Sequence, residues 1–185
     1  MNINWVLADL TTFGPEVDIG KLKHIGSFWG GWRTWRGCET DNVICDDMSK
    51  ANDLLKRNFQ NDCNFYIPNN NYQSLNRPTN VRLYGGEFMH DVDHRDEIVS
   101  MHLAAATSDI VLLVGFNFSE PIVNTNKLLE IRARDYRGLI RQAITDNSHV
   151  QWVLVDHPDP IMKELSSLEN LSTDVMENVL TFSDS

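Results

Sequence analysis

The string HDVDHRDE, residues 90–97, is the densest run of ligating side chains in the sequence. His90 and His94 stand four apart, so on a helix they share a face, and Asp91 or Asp93 could complete a divalent-metal site beside them. The residue after His90 is Asp, so the HExxH arrangement of zinc hydrolases is absent. The plainer expectation is a helix N-terminus capped by Asp91 or Asp93, with no metal. Just upstream, Gly85 and Gly86 suit either a tight turn or a close approach of backbone N–H groups to a nucleotide or sugar. A third feature is GSFWGGWRTWRG, residues 26–37, in which Trp29, Trp32 and Trp35 recur every third position with Arg33 and Arg36 between them. Such a set suits a stacking platform, a protein contact, or simple burial beneath a long connection. Trp29, Trp32, Arg33 and Trp35 are the candidate interface residues.

These residues need a framework. INWVLA (3–8), SDIVLLVGF (108–116) and HVQWVLVDH (149–157) are apolar without alternation, as strands covered on both faces are. DNVICDD (41–47), CNFYIP (63–68) and NVRLYGG (80–86) read as shorter strands. Helices are expected over 49–59, 92–106 and about 125–146, where apolar residues recur at helical spacing. From Asp9 to about Gly37 there is no clean period, and the segment reads as a long loop with short helical pieces. NNNYQSLNRPTN reads as a surface loop, and the last 25 residues as one or two helices with a small edge strand at VLTF. The alternation of strand and helix predicts an α/β, three-layer, Rossmann-like or flavodoxin-like fold with a mostly parallel sheet of five or six strands. Length predicts a single domain, 1–185, decorated by the tryptophan-rich loop at about 10–40.

In open parallel sheets, ligands sit outside the carboxyl ends of the strands. Reading off those ends gives Asp9, Asp46–Asp47, Gly85–Gly86–Glu87, Asn117 with Glu120, and Asp156–His157. The candidate ligand-binding residues are therefore Asp9, Gly85, Gly86, Asn117, Glu120 and Asp156. Neither GxGxxG nor GxxxxGK[ST] occurs, which disfavours a standard dinucleotide dehydrogenase or P-loop NTPase. No cofactor is specified. A net charge of −10 makes free DNA an unlikely partner, although Arg132, Arg134, Arg137 and Arg141 form a local basic group. No apolar run reaches the ~20 residues of a membrane span, and the N-terminal segment does not read as a signal peptide. Three cysteines at irregular spacing suggest free thiols in a reducing cytoplasm.

The order LYGGEF, helix, SDIVLLVGFNF, helix bearing Glu130, then VQWVLVD resembles nucleoside 2-deoxyribosyltransferases and their Rossmann-like relatives over residues 81–156. That resemblance implies Glu130 as nucleophile or stabiliser of a cationic sugar, with Gly85, Gly86 and Glu87 lining the pocket and Glu87 a second catalytic carboxylate. This chain departs from the family before the catalytic Glu, where it reads FNFSEPIVNTNKLLE. Two functions are expected. The first is binding of a nucleotide, nucleoside or related small molecule at the strand-end rim, with N-glycosidic or phosphate chemistry. The second is a non-catalytic interaction or assembly protein, oligomeric or with a protein partner, that uses the tryptophan loop.

Overall fold

A computed structural model describes residues 1–35, 37–68, 80–84, 95–119 and 127–181. Among the described residues eight strands form one sheet: β1 (Ile3–Leu7), β2 (Ser27–Gly31), β3 (Asn42–Ile44), β4 (Asn64–Pro68), β5 (Val81–Tyr84), β6 (Ile110–Val114), β7 (Gln151–Val155) and β8 (Leu171–Asp174). Their order is β5-β4-β3-β2-β1-β6-β7-β8, and every pairing is parallel. Successive strands walk outward from β1 to β5, and the chain then returns to the other side of β1. The sheet order reverses at the β1/β6 pair, where Ile3 faces Ile110 and Leu7 faces Val114.

The sheet is wider than the five or six strands expected. The strands that the sequence does not announce are β2 and β8. β2 lies inside what reads as a loop, because two of its five residues are glycine. The edge strand expected at VLTF is found instead at Leu171–Asp174, and Val179 closes a short helix, α7 (Met176–Val179), with its side chain fully buried.

Helices cover both faces, which explains the continuous apolar runs. On one face lie α4 (Arg95–Ala105), α5 (Lys127–Asp146) and α6 (Lys163–Ser166), packed against Val6, Trp29, Ile44, Leu113 and Trp152. On the other face, α1 (Ile19–Ile25) and α7 pack against Trp5, Leu7, Phe28 and Val153. Beside them, α2 (Trp32–Trp35) and α3 (Met48–Lys56) cover Val43, Phe65 and Ile67. Alternate residues of β1 thus serve two cores, with Trp5 and Leu7 in one and Val6 in the other.

Local caps set where the helices begin. Asp18 accepts from Lys21 N–H at 3.2 Å, and Asp47 accepts from Lys50 N–H at 3.0 Å, each satisfying an N–H that α1 or α3 leaves orphaned. α4 is held at its C-terminal end by Asn4 of β1. The buried Asn4 amide donates to Ser108 Oγ at 2.7 Å and to Ala104 O at 3.3 Å. Among the described residues no helix is long and apolar enough to cross a membrane.

Candidate functional site

The carboxyl ends of β1, β2 and β3 converge on the first turn of α4. That turn carries Asp96 and Glu97. Glu97 is 3% exposed, so its carboxylate needs internal donors. Its Oε1 accepts the backbone N–H of Asp9 at the end of β1, and its Oε2 accepts the phenol of Tyr136 from α5. Asp96 Oδ1 accepts the backbone N–H of Asp46 just beyond β3, at 3.3 Å. The two carboxylates clip the ends of β1 and β3 to one helix terminus, where the helix dipole favours negative charge.

Between them β2 ends in Gly31. A Cβ there would stand 3.0 Å from Asp9 Oδ1 and 3.0 Å from the Cβ of Asp96. Glycine is what lets these two carboxylate residues close over the strand. Asp9 also lies 3.9 Å from the Arg33 guanidinium, and Thr34 donates to Ala8 O at 3.1 Å with Asp9 Oδ1 3.4 Å away. The result is a group of three carboxylates, a phenol, a hydroxyl and one guanidinium, assembled from β1, α2, α4 and α5.

Electrostatics keep the phenol of this group protonated. Burial, then the neighbouring Glu97 charge, push the Tyr136 phenol well above its ordinary range, so it stays a neutral donor. Burial, then Asp96, do the same to Tyr84 at the end of β5. The arrangement can accept hydrogen bonds from hydroxyl or N–H groups of a ligand and can hold a developing cation. Directly against a phosphate, its carboxylates would repel. Among the described residues no group of His, Cys, Asp and Glu has the geometry of a metal site.

The β1/β6 seam itself is closed. Ala8 N–H donates to Val114 O at 2.9 Å, and Thr11 packs where a side chain on Gly115 would lie. Gly115 has φ +79°, which glycine adopts without strain.

Of the residues expected from the sequence, Asp9 stands in this group. Arg33 joins it through Asp9 and also lies over the Trp32 ring, 5.6 Å from its centre. Asn117 is exposed beyond β6, where its side chain accepts Ser119 N–H at 3.0 Å in a local turn. Asp156 is also exposed, with φ +53°, and accepts Met176 N–H at 2.8 Å at the start of α7. His157 is engaged at both nitrogens: Nε2 accepts Phe118 N–H at 3.0 Å, and Nδ1 is 2.7 Å from Asp159 O. Gly85, Gly86, Glu87 and Glu120 lie outside the described residues, as do His90, Asp91, Asp93 and His94. Glu130 falls within α5, with its side chain outside the description.

The tryptophans divide. Trp29 is a core residue rather than a contact residue: it is 7% exposed, and its ring lies 5.3 Å from that of Tyr66. Its position in β2, which reads as loop, puts its side chain on the covered α4 face. Trp32 and Trp35 are partly exposed on α2. Sequence reasoning missed Glu97 as a site residue within the 90–97 string and missed Tyr136 altogether. The two meet only because α4 and α5 pack on the same face.

Comparison of the chain with known protein families, with curated proteins and with solved structures gave no match.

Proposed function

We propose that the chain binds a nucleoside, nucleotide or related small molecule at the C-terminal rim of its sheet, on the α4 side of the β1/β6 reversal. One observation carries this reading: Asp9, Asp96, Glu97 and the Tyr136 phenol gather at a strand-end rim, which is where open parallel sheets bind ligands. An acid-rich rim fits the hydroxyls of a sugar or the N–H groups of a base, so the nucleoside part is the group held there. N-glycosidic chemistry is the reaction class such carboxylates suit, since a carboxylate stabilises a cationic sugar, and the resemblance of residues 81–156 points the same way with Glu130 as nucleophile.

The test is a thermal-shift and calorimetric screen of the intact chain against nucleosides and nucleotides, followed by chromatography for released base. A ligand at about 100 times its Kd should add about 2.7 kcal/mol. Asp9→Asn should weaken that binding, and Glu130→Gln should abolish base release while leaving binding in place. If no nucleoside or nucleotide shifts the melting temperature, the reading fails.

A second reading is a protein contact through Trp32 and Trp35, and the partial exposure of these two rings favours it. Under that reading Trp32→Ala changes oligomeric state or partner capture with little change in melting temperature.

A further inference from the structure

On the face of the sheet opposite α4, a groove of about 270 Å³ opens between α2 and α3. Its apolar wall is made by Trp32, Trp35, Leu54 and Phe59, and Trp35 and Phe59 meet edge to face at 4.2 Å. Its cations are Lys50 and Arg57. The Lys50 ammonium sits 4.8 Å from the centre of the Trp32 ring, a cation–π distance. Neither Lys50 nor Arg57 has an ion-pair partner among the described residues.

We propose that this groove is a second small-molecule site, separate from the rim, whose ligand is a flat ring carrying one anionic group. Each part of the ligand answers a part of the groove. The ring lies against the indoles, and the anion sits between Lys50 and Arg57. Asp53 and Asp62 on the same lining balance the two cations, which disfavours a polyanion such as a nucleic-acid strand. The volume, about 270 Å³, is just under the roughly 300–1,000 Å³ of drug-sized pockets, so it suits a ligand no larger than a mononucleotide.

Two sources share this chemistry, a nucleoside monophosphate and an aryl carboxylate. Titration calorimetry of the full chain with adenosine 5′-monophosphate and, separately, with phenylacetate distinguishes them. The expected result is saturable binding of one of these two, with adenosine alone and inorganic phosphate alone each at least about tenfold weaker. A Lys50→Glu, Arg57→Glu double variant, changed at the half-buried Lys50 and the exposed Arg57, should weaken binding at least about tenfold while a thermal melt shows that the chain stays folded. Asp9→Asn should leave binding intact, because Asp9 belongs to the rim. Three results would overturn the proposal: neither ring-bearing anion binds, binding survives the double charge reversal, or binding disappears in Asp9→Asn and persists in the charge-reversed variant. That last outcome would assign the ligand to the rim and leave the rim reading standing.

Discussion

Glu97 draws its hydrogen bonds from groups far apart in the chain, the amide of Asp9 and the phenol of Tyr136, so its carboxylate ties β1, α4 and α5 together. Tyr136→Phe keeps the ring and deletes the donor to a buried charge. The expected loss is about 1–3 kcal/mol in urea unfolding, with an unchanged m-value. A loss near zero would mean that the phenol is incidental to the cluster. Gly31→Ala acts by crowding, since the new methyl would press on Asp9 and on Asp96 at 3.0 Å. Overpacking of this kind costs about 1–3 kcal/mol. Because the crowded groups are the rim carboxylates, Gly31→Ala should also weaken any rim ligand, measured by the same calorimetry as for Asp9→Asn.

At the scale of elements, the caps and the strand ends do the positioning. Asp47→Ala removes the side-chain acceptor that begins α3 and should lower stability by about 1 kcal/mol in thermal or denaturant melts. Which elements were legible in the sequence follows from the same physics. β1, β6 and β7 stand out because strands covered on both faces are apolar at every position, and each ends in a readable polar residue. β2 hides because Gly30 and Gly31 replace the β-prone residues that would mark it. Those glycines are required where Thr34 and the two aspartates come close. β8 hides because LSTD is an edge strand with two exposed central residues, while Val179, the first residue of the more apolar VLTF, closes a short helix over the core. At the site, Asp9 was legible from the strand-end rule alone. Glu97 and Tyr136 were not, because their contact depends on α4 crossing back from β5 to β6 and on α5 packing beside it, and neither has a local signature.

Across the whole molecule, buried proton donors set a limit at alkaline pH. All three cysteines are free and buried. Burial, then the charge of Asp62, push the Cys63 thiol from the ordinary 9.0 up to about 12. Burial raises the Cys45 thiol and the Tyr136 phenol in the same direction, with Asp96 and Glu97 adding to it respectively. These groups bind their protons more tightly in the folded chain than in the unfolded one. The stability they contribute is complete below about 9 and is lost as pH rises from there through about 12. Melting temperature should therefore fall progressively across that range, and Cys63→Ala should soften the decline. A melting temperature that stays flat across it would contradict this account. The same thiols should resist thiol reagents at neutral pH until the chain unfolds. The sheet order has a consequence of a different kind, for the chain as it is being made. β1 is synthesised before its neighbours β2 and β6, and β2 can pair with one of its edges early. Its other edge waits for β6, which follows more than a hundred residues later. At about 5–20 residues per second, that edge stays open on the order of 5–20 s. During this interval the apolar row Trp5, Val6 and Leu7 has an unsatisfied backbone edge beside it, so the newborn chain carries its aggregation hazard at what becomes the centre of the finished sheet.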